Sequence, residues 1–538
     1  MKNSVLSRPE LGVWNFYFLL KLALASVGLL NFQPIPNLIF AAALIIPLPW
    51  QIAQTLRTVV AIPIGIALFY QDTWFPPFSR LLDNADNIRG FSNEYILELL
   101  GRFIHWDWVG LFFVALVAYY FICQWIRLTT LSLVGLFWFS VVSIQPEQPA
   151  IASTAASSGT NTTSTQQTKN PDNNTLNQAL TNFHRTEASR HTNFPDTAES
   201  HLAFDVLVIN ICSMAWDDLE SVGLRDNSLF QQMDIIFDHF NSATSYSGPA
   251  SIRLLRASCG QLPHQQLYEP ANQQCLLFNN LRQLGFTEEL MLNHDGQFES
   301  YLDNVRKQTE MPPPAIDSKI LKRSWISFAG PPLWQDQDVL VKWWQHRINE
   351  LKTQDRVALF YNTITLHDGN RVLEADGGTR PANYKERASS FINDLVAFIK
   401  ELQRSKRPVV LVIVPEHGAA LHGDTMQISG MRELPTPSIT HVPVGVKLIN
   451  MDTPQQSNPV HVAEPSSYLA LSELIARLLR VPSFQESNGF NWQLLTTGLP
   501  QTAWVSENQG VVVQEYEGVP YLRIKEQGTW LPYPHRFK

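Results

Sequence analysis

Three apolar runs in the C-terminal part of this sequence each end in residues that bind metals or move protons. Ile211-Cys212-Ser213 follows the run at 204–210 (FDVLVIN), Leu366-His367-Asp368-Gly369 follows 357–364 (VALFYNTI), and Pro415-Glu416-His417-Gly418 follows 409–414 (VVLVIV). Thiolate, imidazole and carboxylate are zinc ligand types, although the long separations give no local finger-like spacing. Taken singly, each residue has a structural reading: Cys212 as a small buried residue, His417 as a core or capping histidine, Glu416 as a solvated charge. Delivered together to one edge, they favour a metal site. Between the first two runs, ATSYSGPA at 243–250 precedes a helical pattern at 251–257. Ser247 stands where an N-cap belongs, with Pro249 suited to the first turn. A helix start also gathers free N–H groups and the positive end of the dipole, which stabilise an alkoxide and bind a phosphate. Beside a metal that lowers its pKa, Ser247 becomes a candidate nucleophile.

These residues need a frame that brings distant segments to one line. The runs at 204–210, 357–364 and 409–414, with a fourth at 442–449 (VPVGVKLI), are continuously apolar rather than alternating. Such strands are buried on both faces, as in a parallel sheet flanked by helices. Residues 384–404 place Phe391, Leu395, Phe398, Ile399 and Leu402 on one helical face, and 466–480 forms another amphipathic helix. The expectation is a doubly wound α/β domain with a mostly parallel sheet, and added β-hairpins at 504–533. In open sheets of this kind the ligand site lies beyond the carboxyl ends of the strands, where the three motifs fall.

The first quarter of the chain is different. Residues 1–145 hold 8 Lys+Arg and 7 Asp+Glu, leaving 32 and 41 for the remainder. Apolar runs at 13–30, 35–53, 58–70, 108–126 and 128–144 read as five membrane spans, the third of them short. Seven of the 15 Trp lie here, mostly near run ends, where an amphipathic ring suits the interface. Lys2, Arg8, Arg57 and Arg127 share a side under five spans, which makes the N-terminus cytoplasmic and everything after residue 145 external. Residues 146–175, rich in Ser, Thr, Asn and Gln, read as a flexible linker, and 176–538 as the external domain. A net charge of -8, with the acidic excess in the external part, argues against a nucleic-acid partner.

Of four cysteines, Cys123 falls in a span and Cys212 at the candidate site. Cys259 and Cys275, 16 positions apart in an oxidising compartment, are expected to pair, and a loop of that size is worth about 3 kcal/mol on the chain-entropy model.

The strings NICSMAWDDL, ATSYSGPASIRLLRASCGQ, TLHDGN and VPEHGAALHGD, after five apolar runs and a tether, resemble the bacterial cellulose phosphoethanolamine transferases of the alkaline phosphatase superfamily. The similarity runs over essentially the whole chain. Relatives that modify lipid A have Glu where Cys212 stands, Thr where Ser247 stands and Asp where Glu416 stands. The resemblance implies an alkaline phosphatase/sulfatase-like periplasmic domain on a bacterial inner-membrane anchor. It implies Zn²⁺ held by Cys212, Glu416, His417 and the oxygen of Ser247, with Tyr246, His367 and Arg432 around the phosphate and substrate. The implied reaction passes phosphoethanolamine from phosphatidylethanolamine to Ser247 and then to the 6-hydroxyl of a cellulose glucose, beside subunits of a cellulose synthase. His367, with an unperturbed pKa near neutrality, is the expected proton carrier. Other readings stay open at this point: a non-catalytic scaffold of the synthase, the same chemistry with another acceptor such as lipid A, and a phosphodiesterase that delivers to water.

Overall fold

The computed structural model describes residues 11–27, 30, 32–48, 50–73, 90–103, 106–144, 171–196 and 203–533, apart from 351, 353, 354, 425, 455, 486, 488, 489, 526 and 527. The chain divides into two compact units, Met1–Ala85 with Leu97–Lys169, and Asp86–Ile96 with Asn170–Lys538. The boundary therefore differs from the sequence expectation, because a short stretch inside the charge-poor quarter belongs to the second unit.

Among the described residues of the first unit, the apolar helices Trp14–Ser26, Pro34–Ile45, Gln51–Gln71, Trp106–Ile122 and Leu128–Ile144 fall on the five expected runs. The lengths are redistributed. Pro47 and Pro49 cannot continue the second helix, so it stops at Ile45, and the run expected to be short becomes the 21-residue helix Gln51–Gln71. Among the described residues, only its segment Ile52–Gln71 is long and apolar enough to cross a membrane; Pro34–Ile45, Val109–Ile122 and Leu128–Val141 are apolar but shorter. Lys21, the single charge of the first run, is buried and answered within this unit, its Nζ 2.7 Å from Asp72 Oδ2 and 2.7 Å from Asn37 Oδ1. A buried cation in apolar surroundings requires such a partner.

The second unit is built on a seven-stranded sheet. In chain order its strands are β1 (Asp205–Ile211), β2 (Ile235–Phe237), β3 (Phe286–Leu292), β4 (Arg356–Thr363), β5 (Val409–Pro415), β6 (Val444–Ile449) and β7 (Val460–Val462), arranged β7-β2-β6-β5-β1-β4-β3. β1 lies parallel to β4 and β5, and β3 parallel to β4, whereas β6 runs antiparallel to both β5 and β2. The mixed direction corrects the reading of 442–449 as one more parallel strand. Continuous apolarity reports burial on both faces, and β6 is buried on both, but it carries no information about direction. Helix Tyr384–Arg404 packs Phe391, Leu395, Phe398, Ile399 and Leu402 on one face of the sheet, and helix Tyr468–Arg480 packs on the other.

Strands β8 (Val505–Asn508), β9 (Val511–Tyr516), β10 (Val519–Ile524) and β11 (Trp530–Pro532) form the expected antiparallel tail as one four-stranded sheet. Helix Asn173–Glu187 covers it with Leu176 and Leu180 against Val505, Val512, Tyr521 and Trp530. Asp172 caps that helix by accepting the Thr175 N–H at 2.8 Å, so the last residues assigned to the linker are already folded. The rest of that linker, 146–170, lies outside the described residues. Cys259 and Cys275 are joined, and Cys212 is a free, buried thiol, as expected.

Candidate metal and nucleophile site

The parallel register assembles the site. Ile211 at the end of β1 stands beside Thr363 of β4 and Pro415 of β5, so the next residues of β1 and β5, Cys212 and Glu416, emerge at one level. The Cys212 N–H donates to the Thr363 carbonyl at 2.9 Å and the Glu416 N–H to the Ile211 carbonyl at 2.8 Å, extending the ladder past the strand ends. The Cys212, Glu416 and His417 ligand atoms lie within 4.8 Å of one another, and all three residues are buried. The long separations that left the sequence reading without a spacing argument are thus the signature of the sheet itself. Gly418 is required by close approach: a Cβ there would come 2.7 Å from the Ala215 Cβ and 2.7 Å from Asp218 Oδ2. Asp218 in turn accepts the Ala215, Ala419 and Leu421 N–H groups, pinning the loop that follows His417.

Helix Ser247–Leu255 brings the nucleophile. Ser247 is its first residue and Tyr246 occupies the cap position, one place earlier than expected, and no side chain caps the helix. The first-turn N–H groups are therefore available to a ligand. Ser247 Oγ lies 3.2 Å from His417 Nε2 and 3.4 Å from Cys212 Sγ. His417 Nδ1 is 2.8 Å from the Gly418 carbonyl, which can only accept, so Nδ1 carries the proton and Nε2 presents its lone pair to the Cys212 and Ser247 side.

Residues that sequence reasoning missed complete the site. Glu416 Oε1 accepts from Asn362 Nδ2 at 2.6 Å and from Ser251 Oγ at 3.0 Å, while Glu416 Oε2 is buried with no hydrogen-bond partner. Ser251 lies four residues after Ser247 on the same helix face, a spacing that could have flagged it. Asn362 is aligned with Asn210 in the sheet and donates to its Oδ1 at 2.8 Å. Ser213 adopts a left-handed backbone (φ 64°), and its carbonyl accepts from the Tyr384 hydroxyl at 2.8 Å.

Arg432 joins this cluster from a distant loop. Its guanidinium donates to Ser213 Oγ at 3.2 Å and reaches 3.5 Å from His367 Nε2. Its carbonyl accepts from Ser245 Oγ, two residues before the nucleophile. His367 stacks on Phe328 with ring centroids 3.9 Å apart, and its Nδ1 donates to the Asp368 carbonyl at 2.7 Å. Phe328 also meets Phe91 and Tyr95 from the N-terminal stretch of this unit, and the Tyr95 hydroxyl lies 3.3 Å from Asp368 Oδ2. All seven expected site residues, Cys212, Tyr246, Ser247, His367, Glu416, His417 and Arg432, therefore come to one edge of one sheet.

The electrostatics fit a cation. Burial, with Glu416 adding to it, pushes the Cys212 thiol up to about 11, and burial pushes Glu416 up to about 7. Burial and then the Arg432 charge hold His417 well below an ordinary histidine. Two donors whose anionic ligating forms are costly to bury, one with an orphaned oxygen, beside an imidazole held in its neutral ligating form, are what a metal ion would satisfy. For His367 the structure corrects the free-imidazole argument. Burial and Arg432 lower it to about 3, so it is a neutral acceptor at physiological pH rather than a group poised at neutrality.

The ring of donors around Glu416 gives a first prediction. Asn362→Ala or Ser251→Ala should weaken metal binding by about 10- to 100-fold, the range for outer-shell partners, while the fold persists. Metal titration of the purified variants checks it. Unaltered affinity in both would mean that Glu416 is not a ligand.

The second unit is thus an α/β domain with a candidate metal centre and a serine at the carboxyl edge of its sheet. Two family models match the chain, the cellulose biosynthesis protein BcsG N-terminal domain over residues 14–141 and the BcsG C-terminal domain over residues 160–530. The chain is 46% identical over 542 residues to the cellulose biosynthesis protein BcsG of Escherichia coli K12, covering 97% of this chain and 96% of that protein. It is 43% identical to the Salmonella typhimurium LT2 protein of the same name, with the same coverage of 97% and 96%. The chain belongs to the BcsG family of cellulose biosynthesis proteins. Among solved structures, a protein in the alkaline phosphatase superfamily from Vibrio parahaemolyticus aligns at 11% identity with a TM-score of 0.46, covering 67% of this chain and 91% of that one.

Proposed function

We propose that this protein is a zinc-dependent phosphoethanolamine transferase that moves the group from phosphatidylethanolamine to the 6-hydroxyl of glucose units in secreted cellulose. The observation that carries the reading is Ser247 Oγ at a helix start, 3.2 Å and 3.4 Å from two of three buried metal-ligand candidates, with Arg432 beside them. The relatives' role in cellulose biosynthesis supports the acceptor. Cys212, Glu416, His417 and Ser247 would hold the zinc, which when bound supplies positive charge that favours the serine alkoxide and the phosphoryl oxygens.

The chain's own residues then act in order. Ser247 Oγ gives up its proton and attacks the phosphorus, the bond from phosphorus to the diacylglycerol oxygen breaks, and that oxygen takes up a proton, so none is gained or lost overall. The first-turn N–H groups and Arg432 hold the phosphoryl oxygens through this change. In the second half the glucose 6-oxygen attacks the phosphoethanolamine-serine, its proton leaves, and the Ser247 Oγ–P bond breaks. His367, neutral and held by the Asp368 carbonyl, orients the entering hydroxyl as an acceptor. A phosphate on Arg432 offsets part of the charge that keeps this imidazole a weak base.

A multi-pass inner-membrane anchor, a periplasmic second unit and a place beside cellulose synthase subunits complete the proposal. Donor lipid and nascent polymer then meet at one membrane face. The scaffold reading has no observation in its favour, since a scaffold has no need of a buried thiol, carboxylate and imidazole around a serine. The test is diacylglycerol release by the full-length protein in vesicles. Release is expected with phosphatidylethanolamine plus a cello-oligosaccharide and not with phosphatidylglycerol; equal release from both, or from neither, would count against the donor assignment.

A further inference from the structure

Arg432 is followed in sequence by Glu433, and the two side chains meet different partners beside the nucleophile. Arg432 meets Ser213 and His367. Glu433 Oε1 accepts the Tyr246 hydroxyl at 2.8 Å, and Tyr246 immediately precedes Ser247. The placement is built rather than incidental. Asn508, at the end of β8, donates from Nδ2 to Ser245 Oγ at 2.7 Å and to the Glu433 carbonyl at 2.9 Å, and its Oδ1 accepts the Ser245 N–H at 3.3 Å. One asparagine thus fastens the 432–433 backbone to the loop that presents the serine.

A second carboxylate acts on the same tyrosine through its charge. Glu299 acts electrostatically on both Tyr246 and Arg432, and it stands in a left-handed backbone (φ 52°) right after Phe298. Phe298 packs edge-on against Phe328, the ring that carries His367, with centroids 4.8 Å apart. Around the pair Tyr246 and Arg432 there are therefore two carboxylates, a phenol and an aromatic wall. Tyr246 and Glu433 are half-buried and Glu299 is open to solvent, so this group is reachable from outside.

Within the proposed transferase reading, on which this inference rests, the donor head group is a zwitterion. Its phosphate and its primary ammonium are joined by two carbons, so a site that holds the phosphate on Arg432 must meet the ammonium within about one side chain's reach. We infer that Glu433, oriented by Tyr246 and supported by Glu299, is the specificity-determining group that receives the donor's primary ammonium. The adjacent pair Arg432-Glu433 then presents the complement of the head group's two charges from a single fixed backbone. Lipids with an uncharged head group would leave the Glu433 carboxylate without its cation, which is how a site rejects an analogue lacking the matched group.

The experiment compares two donors, phosphatidylethanolamine and its uncharged isostere phosphatidylpropanol, each a minor component of phosphatidylcholine vesicles, by diacylglycerol release from the full-length protein. The wild type should prefer the ammonium donor by about 10- to 100-fold in kcat/KM, the worth of a charge-assisted hydrogen bond. Glu433→Gln should bring that ratio close to one, and Glu299→Gln should lower it less. A purely structural role for Glu433 would instead depress both donors together and keep the ratio. An unaltered ratio in Glu433→Gln overturns the inference, as does a wild type that uses the two donors alike. That second result leaves the transferase reading standing, whereas a wild type inactive on both donors removes the reading and the inference with it. If Glu433→Gln is inactive toward both donors, Glu299→Gln decides: a ratio at the wild-type value overturns the inference, and a lowered ratio supports it.

Discussion

Replacing Ser247 by alanine should lower phosphoethanolamine transfer by on the order of 10⁴-fold or more while leaving most of the metal bound. The size follows from the role: removing the nucleophile of a covalent mechanism removes the pathway rather than one stabilising contact, and single losses from such a unit cost nearly the whole effect. The metal is expected to stay because Cys212, Glu416 and His417 remain, and their geometry is fixed by strand ends and by Asn362 and Ser251, not by the serine. Ser247 contributes no packing that the helix needs, since it is only the first residue of the first turn. Zinc content beside the phosphoethanolamine found on secreted cellulose provides the measurement. Undiminished decoration by Ser247→Ala would leave the enzyme reading without its nucleophile and would favour the scaffold.

The second large effect has a different signature. Cys212→Ala or His417→Ala should lose metal and activity together, with affinity falling beyond the roughly 10- to 100-fold expected for Asn362 or Ser251. Each removes one of three protein ligands, and two ligands besides a serine oxygen hold zinc poorly. The loss should not be a folding loss. With its pKa pushed up to about 11, Cys212 is a neutral buried thiol in the absence of metal, so Cys212→Ala loses only the packing of one sulfur atom. The apo form of Cys212→Ala should therefore melt only slightly below the apo wild type, a comparison read by thermal denaturation after chelation. A variant that retains metal at wild-type affinity would remove that residue from the ligand set.

These residues were legible in the sequence for a physical reason. Cys212, His367 and Glu416-His417 each follow a continuously apolar strand, and in a sheet with parallel β1, β4 and β5 that position alone brings them to one edge. What supports them was not legible. Asn362 sits inside the run VALFYNTI and reads as an interruption of it, and only the register that sets it beside Asn210 shows its purpose. Glu433 and Asn508 carry no local motif, because their partners are 187 and 263 positions away.

The direction of β6 was hidden for the reason that made the strand visible: burial on both faces erases the alternation that would report its setting. The three-residue strand β2 and the partly exposed β3, whose Thr287, Glu288 and Glu289 break the apolar run, fell below any pattern. Prolines 47 and 49 were seen in the sequence, but their effect was to lengthen the third apolar helix at the expense of the second. The low basicity of His367 was hidden as well, since neither its burial nor the approach of Arg432, 65 residues away, has a local signal.

Mass spectrometry of the full-length protein, stopped with acid after incubation in phosphatidylethanolamine vesicles without any sugar acceptor, reads the covalent intermediate itself. One phosphoethanolamine adduct is expected, mapped to the peptide containing Ser247, absent from Ser247→Ala and discharged when a cello-oligosaccharide is added before the acid. An adduct on another residue, or diacylglycerol release and transfer without any adduct on Ser247, would contradict the role given to that serine.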